Sequence, residues 1–339
     1  MANERALVAG VFGAFYHVLL FTEEDGRRIY GERRLAKTRG KLRIDYREKN
    51  TGYNKLRETL LAIGDVVEVG VDAKNPETMV IIDVEKRHNA IHRASFGRQQ
   101  CLAANIDGVV IMSSVRSPDF NLGFVERCLA EVTIARADVT LVVNKYDLAA
   151  EGDEETEKIL LYYEKCGFSV FRESVLGGIS EALAKHLESG TWLLLGQSGT
   201  GKSTLMNRLL GDERQIVGEV SQIDKGRHTT TNPALHFSPR HAQLVLIDVP
   251  GLREFGLHHR DAQEIRTGYP DFLEHPCRFE NCLHLNEPGC GVKDAIASGE
   301  LPEFRYRYYV SMLDTVQENF KPRKGDYWHI YDKDDVLGF

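Results

Sequence analysis

The chain has no excess of positive charge. Its 339 residues carry 43 Lys and Arg against 50 Asp and Glu, a net charge of −7. That balance excludes a protein that grips nucleic acid over its whole surface, so contact with RNA must come from a local patch. Long apolar runs are also missing. Ala6–Phe21 (ALVAGVFGAFYHVLLF) is apolar but too short to span a bilayer. Glu4 sits beside Arg5 just before it, His17 interrupts it, and no clean small-residue cleavage site follows. It reads as two buried strands meeting near Gly13. A disulfide framework is absent too. Cys101, Cys128 and Cys166 are scattered singly, whereas Cys277, Cys282 and Cys290 cluster around His284. Such usage points to a reduced compartment with a metal site. A cytoplasmic, monomeric protein with no membrane partner is expected.

What is present begins with GQSGTGKST. Gly196, Gly201, Lys202 and Ser203 match G-x-x-x-x-G-K-[ST]. Glycines let successive backbone N–H groups of Gln197, Ser198, Gly199, Thr200 and Thr204 turn toward a phosphate chain. A helix N-terminus closing the loop favours the same anion. Lys202 can reach the β and γ phosphates, and the Ser203 hydroxyl can hold Mg²⁺. The context suits this chemistry, because Thr191–Leu195 reads as a buried strand. Leu205, Leu209 and Leu210 then fall at helical spacing before a stop at Gly211.

Upstream, the buried run Val139–Val143 delivers Asn144-Lys145-Tyr146-Asp147, an N-K-x-D reader of guanine. The Asp147 carboxylate can accept from the N1–H and the exocyclic amine of guanine. Asn144 can bond another edge of the base, and the Lys145 stem can pack over the loop. Adenine lacks those two donors and would leave a buried carboxylate unpaired, at a cost of about 1–3 kcal/mol. Ser174, after the strand Ser169–Phe171, can contact the base through backbone groups. Downstream, Lys225–Thr231 (KGRHTTT) offers hydroxyls for Mg²⁺ and the γ phosphate. Leu244–Ile247 leads to Asp248-Val249-Pro250-Gly251, a D-x-x-G in which Asp248 holds Mg²⁺ through water and the Gly251 N–H senses the γ phosphate. The reader therefore precedes the phosphate loop, while the switch loops follow it. Joining nearby termini at a surface permits such a permutation.

A glutamine usually follows D-x-x-G and orients the attacking water. Here Leu252 stands at that position and cannot hydrogen-bond. A slow intrinsic rate that needs a partner is expected. His228 is the internal candidate for orienting water, with Thr230 as the candidate catalytic switch threonine; His228 could equally contact RNA or pack in its loop.

At the C-terminal side, Cys277, Cys282, His284 and Cys290 spell C-x4-C-x-H-x5-C. Three thiolates and one imidazole make a closed tetrahedral set, which suits one structural Zn²⁺. Phe304, Tyr308, Met312 and Val316 mark an amphipathic helix over Glu303–Phe320. At the N-terminal side, short β-rich runs (Val8–Phe15, Tyr16–Phe21, Lys41–Tyr46, Val66–Val71, Met79–Val84) suggest a five-stranded oligonucleotide-binding barrel. Between the early strands lies a basic stretch from Arg27 to Lys49 with Tyr30 and Tyr46 interleaved. It suits phosphate contacts with base stacking as well as it suits a solvated basic face.

Pro118-Asp119-Phe120-Asn121, the NKYD, GQSGTGKST, GRHTTT and DVPG blocks, Arg253-Glu254-Phe255-Gly256 and the zinc spacing together resemble the RsgA (YjeQ) family of circularly permuted GTPases. The resemblance runs nearly end to end, with Val249 where that family usually has threonine. It implies a multidomain chain: an OB-fold barrel (1–92), a permuted α/β P-loop GTPase (93–258) and an α-rich zinc domain (259–339). It also implies GTP/GDP, Mg²⁺ and one Zn²⁺ as cofactors, and late maturation of the small ribosomal subunit through contact with the subunit and its rRNA. GTP hydrolysis stimulated by that subunit would follow. Two other classes are weighed against it. A phosphate-loop kinase or ATPase would not need the NKYD, and an RNA-binding scaffold with a vestigial site would not need Lys202, Ser203 and Asp248.

Overall fold

Gly13 splits the first apolar run, because its φ of +60° turns the chain where few side chains can follow. The computed structural model describes residues 3–25, 27–39, 60–95, 98–149, 153–211, 215–217, 233–239, 243–249, 252 and 255–316. Strands β1 (Glu4–Phe12) and β2 (Phe15–Glu24) pair antiparallel across Gly13. With β3 (Arg27–Thr38), β4 (Val66–Asp72) and β5 (Asn75–Val84) they close a barrel in the order β1-β2-β3-β5-β4. Period-two alternation sends Ala6, Val8, Tyr16, Val18, Ala36, Val67, Val69 and Ile81 inward. On the outer side Leu7, Ala9, Leu19 and Phe21 pack into the core of the rest of the molecule.

The start of the basic stretch, expected as a connection, is strand β3. Its partners on both sides form it: Arg27–Lys37 pairs with β2, and Leu35–Thr38 runs parallel to β5. Several of its cations meet local groups. Arg34 lies 3.2 Å from Glu32, Arg28 lies 3.7 Å from Glu23, and Lys37 pairs with Asp72. The expected strand Lys41–Tyr46 and the basic residues from Lys41 to Lys49 lie outside the described residues.

A hairpin of β6 (Ala90–Ser95) and β7 (Arg98–Ala104) leads to a seven-stranded sheet. In chain order the next elements are β8 (Gly108–Ser114), α1 (Leu122–Ile134), β9 (Asp138–Asn144), α2 (Glu154–Lys165), β10 (Ser169–Arg172) and α3 (Glu181–His186). They continue with β11 (Gly190–Gly196), α4 (Lys202–Leu210), β12 (Gln215–Val217), β13 (Ala234–Phe237) and β14 (Leu244–Asp248). The sheet order is β10-β9-β8-β11-β14-β13-β12, parallel from β10 to β14. The central strands are buried on both faces, as expected for parallel strands covered by helices. Val109, Ile111, Leu141 and Leu193 face α1 and α2. Val110, Met112, Val142 and Leu194 face α3 and α4.

Beyond the sheet come α5 (Ala262–Thr267), α6 (Pro270–Leu273), α7 (Gly291–Ala297) and α8 (Glu303–Val316). A reciprocal capping box between Asp261 and Glu264 starts α5. The buried face of α8 is Arg305, Tyr306, Tyr309, Met312 and Leu313, rotated from the expected stripe. Phe304, Tyr308 and Val316 pack at its border. The cause is Arg305, which is fully buried. It bonds Glu126 of α1 at 2.6 Å and Asp271 of α6 at 3.0 Å, and lies 4.2 Å from the centre of the Tyr269 ring. No helix among the described residues is long and apolar enough to cross a membrane. Replacing Arg305 by Ala would leave two buried carboxylates without their cation, so a loss of about 3–5 kcal/mol is expected in urea unfolding.

Candidate functional site

The parallel strands β9, β8, β11 and β14 end along one side of the sheet, and ligands of open α/β sheets bind at such carboxyl edges. Here the edge holds a cleft of about 690 Å³. Its lining includes Asn144, Lys145, Asp147, Ser174, Gln197, Ser198, Gly199, Gly201, Lys202, Ser203, Thr204 and Asp248. Residues as far apart in the chain as Asn144 and Asp248 thus face one space.

The loop after β11 turns through Gly199 (φ +82°) and Gly201 (φ +100°) into α4. A Cβ at Gly196 would lie 2.7 Å from the Met112 carbonyl, which explains glycine at the loop's base. Lys202 is 8% exposed and folds over the loop, donating to Gly196 O at 2.5 Å and Gln197 O at 3.2 Å. Burial lowers its pKa, and the Asp248 carboxylate works against that shift. An ammonium held in low dielectric over a glycine-rich loop is suited to a polyphosphate.

The reader sits at the end of β9. Lys145 takes the left-handed conformation (φ +58°), and its Nζ donates to Ser117 O. Asp147 is oriented through its own N–H, which donates to Ser174 Oγ at 3.0 Å. The Ser174 hydroxyl thus fixes the main chain at Asp147. Asn144 is 3% exposed. Its Nδ2 donates to Thr200 O at 2.8 Å, and its Oδ1 accepts from Val175 N at 3.0 Å. Both ends of that amide are therefore committed to joining the phosphate loop and the Ser174 loop to the reader.

Tyr146 points away from the cleft. Its hydroxyl donates to Glu157 of α2, a bond that raises its pKa, while Arg172 holds Glu157 at 2.7 Å. Gly196 and Thr200 shape the loop from beneath. Val249 and Leu252 are buried in the core at 3% and 1% exposure, so neither side chain reaches the cleft. Gly251, His228 and Thr230, with Thr229 and Thr231, lie outside the described residues. Sequence reasoning missed Leu148, Val175 and Leu176, which also line the cleft. An apolar residue beside a reader motif carries no spacing signal of its own.

A second constellation lies between α6 and α7. The ligand atoms of Cys277, Cys282, His284 and Cys290 all fall within 4.8 Å of one another. Cys277 Sγ and Cys290 Sγ are 3.8 Å apart, and each is 3.4 Å from His284 Nδ1. Tetrahedral zinc with Zn–S near 2.3 Å and Zn–N near 2.0 Å requires separations of about 3.8 and 3.5 Å, so the donor set fits. Further hydrogen bonds set the ligand loop. His284 N donates to Cys282 Sγ at 3.4 Å, the Glu287 carboxylate accepts from Leu283 N at 2.8 Å, and Tyr306 OH donates to His284 O at 2.7 Å. Burial pushes the His284 pKa down to about 4, which leaves a neutral imidazole ready to coordinate at physiological pH.

His92, Glu131 and His259 also converge. Arg260 spans both Glu131 oxygens at 2.8 Å, so this carboxylate serves an ionic clasp with a fixed cation.

A phosphate loop, a guanine reader and the D-x-x-G aspartate around one cleft, with the reader earlier in the chain than the loop, define a circularly permuted P-loop GTPase. The RsgA GTPase family model matches residues 84–258. The chain is 36% identical over 278 residues to the small ribosomal subunit biogenesis GTPase RsgA of Haemophilus influenzae strain PittGG, covering 79% of this chain and 80% of that one. It is 32% identical over 323 residues to the protein of the same name from Phocaeicola vulgatus, covering 93% and 97%. The chain belongs to the RsgA GTPase family and is a GTP hydrolase that uses a guanine nucleotide and Mg²⁺. Among solved structures, YjeQ from Thermotoga maritima matches with a TM-score of 0.68 at 25% identity, over 93% of this chain and 99% of that one. YloQ, described as a circularly permuted GTPase, shares the fold with a TM-score of 0.62 at 23% identity, over 95% and 98%.

If the thiol and imidazole cluster holds zinc, Cys282→Ala should reduce bound metal from about one ion per chain to none, read by elemental analysis, and should lower the thermal midpoint.

Proposed function

We propose that this GTPase binds the small ribosomal subunit, assists its late maturation, and hydrolyses GTP to GDP and phosphate under stimulation by that subunit. The observation that carries this reading is the single cleft in which Asp147, Lys202, Ser203 and Asp248 meet, in a chain whose relatives are named for small-subunit biogenesis. Asp147 reads guanine, Gly196–Thr204 cradles the phosphates, and Lys202 neutralises charge building toward the γ phosphate. Ser203 and Asp248 serve Mg²⁺, Asn144 and Ser174 hold the reader, and Lys145 and Tyr146 support it. Gly251, His228 and Thr230 belong to the same scheme through their motifs. One structural Zn²⁺ on Cys277, Cys282, His284 and Cys290 folds a segment too small for its own core. The barrel offers β3 as a basic strand for rRNA, with Arg27 and Arg39 exposed at its ends. The chain divides as 1–92, 93–258 and 259–339, and acts as a cytoplasmic monomer.

With Leu252 buried, no side chain at the position after D-x-x-G can align water. Turnover of GTP by the purified protein should be slow and should rise at least tenfold with small subunits, while ATP turnover stays at background. Stimulation by neither subunits nor rRNA would remove the assigned partner. Asp147→Ala should raise the GTP KM by about tenfold or more with little loss of stability. In His228→Ala, subunit-stimulated turnover should fall at unchanged GTP affinity; unchanged turnover would exclude a role in orienting water.

A further inference from the structure

Pro118-Asp119-Phe120-Asn121 is a distinctive block of the sequence, yet none of its residues lines the cleft. It belongs to the turn between β8 and α1. Strands β8 and β9 run parallel and stop together, with Ser114 opposite Asn144. Each is followed by a residue in the left-handed conformation, Ser117 (φ +53°) after β8 and Lys145 (φ +58°) after β9. A residue with a side chain takes that conformation at a cost, and keeps it where surrounding bonds fix it. Here the two strained residues bond each other, because Lys145 Nζ donates to Ser117 O. Ser114 holds the turn from inside. It is fully buried, and its hydroxyl donates to Pro118 O at 2.7 Å. Val115 N donates to Asn144 O at 3.1 Å, which ties the start of the turn to the reader. The far end is anchored as well. Phe120 packs against the core, and Asn121 Oδ1 accepts from Phe124 N at 2.9 Å to cap α1. On its other side the turn meets the phosphate loop, since a Cβ at Gly199 would lie 3.5 Å from Pro118 Cδ.

We propose that this turn is a brace standing behind the nucleotide site and that Ser114 is its positioning residue: through Pro118, Ser114 holds the Ser117 carbonyl where it captures the Lys145 ammonium. The inference rests on reading the cleft as a guanine-nucleotide site. A lysine side chain left in solvent samples many rotamers, and binding that needs one of them loses that freedom. A carbonyl fixed beforehand removes the loss before the nucleotide arrives. The carbonyl is fixed because its turn is bonded at both ends and strained at Ser117, so it has few other places to go. Ser114 touches no nucleotide in this scheme. It acts two bonds away, through the turn and then through Lys145.

The test uses the full-length protein, with GDP and inorganic pyrophosphate as separate probes in calorimetry. Wild type should bind GDP; if it binds none, the guanine reading of the cleft falls and the brace with it. Ser114→Ala should raise the Kd for GDP about fivefold and leave that for pyrophosphate unchanged. Ser114→Thr, which keeps the hydroxyl, should stay within about twofold of wild type. Lys145→Met keeps the stem and removes the ammonium, and should raise the Kd for GDP by a factor similar to Ser114→Ala. In the Lys145→Met background, Ser114→Ala should add less than about twofold, because both changes break one chain of bonds. A serine that only supports the fold would act equally in both backgrounds, so single effects that multiply would overturn the brace. Wild-type GDP affinity in Ser114→Ala would overturn it while leaving the guanine site intact, and equal losses for GDP and pyrophosphate would place the effect in the phosphate loop and overturn it too. Should Ser114→Ala not fold, unchanged GDP affinity in Lys145→Met would still reject the proposal.

Discussion

The nucleotide cleft depends on one buried amide. Asn144 donates to the phosphate loop at Thr200 O and accepts from the base loop at Val175 N. The three loops come from different strands, and the Asn144 side chain bonds two of them to its own. Removing the amide would leave a buried carbonyl and a buried N–H unpaired, at about 1–3 kcal/mol each. Gly201 belongs to the same constraint. A Cβ there would lie 2.2 Å from Asn144 Nδ2. Glycine at this position thus serves the staple as well as the turn.

A second constraint lies in α1, which carries two buried carboxylates. Glu126 accepts from Arg305, from Tyr163 OH at 2.6 Å and from Tyr269 OH at 3.0 Å. Glu131 accepts from Arg260 and from His92 N at 2.9 Å. One helix on the central sheet therefore fastens the C-terminal helices through Glu126. Through Glu131 it fastens both the β6–β7 hairpin and the segment that follows the D-x-x-G. That segment is tied to the hairpin a second time, because Ala94 N donates to Gly256 O at 2.8 Å and Gly256 N returns to Ala94 O at 3.2 Å. The chain after Asp248 is thus bonded to neighbours on both sides.

Much of this was readable in advance, for a physical reason. Phosphate, guanine and zinc each impose a short, rigid spacing of residue types, so GQSGTGKST, NKYD and the C-x4-C-x-H-x5-C pattern could be named before their neighbours were known. Buried parallel strands read equally well as uninterrupted apolar runs. What escaped was set by distant partners. Arg27–Thr38 has too few apolar residues to announce a strand, and β2 and β5 supply what its own pattern lacks. The buried face of α8 was misread because a buried arginine looks like a surface residue until Glu126 and Asp271 are placed beside it. Tyr146 stands inside the reader motif, yet Glu157, eleven residues on, holds its hydroxyl, a partner that the motif's spacing does not announce. Leu176 gave no signal at all, since an isolated leucine in a loop is ordinary.

The position of β11 in the sheet bears on how the molecule is made. Ribosomes deliver β8, β9 and β10 first, and these pair as one half of the sheet with β8 as a bare edge. Only β11 covers that edge, and only the residues after it supply Thr200 to the waiting Asn144. A nascent chain that has just finished the reader thus exposes a sticky parallel edge and lacks any phosphate cradle. Nucleotide affinity emerges late in synthesis, in the same step that seals the edge. A guanine nucleotide, as a ligand of the finished sheet alone, would then favour the state in which β11 is inserted.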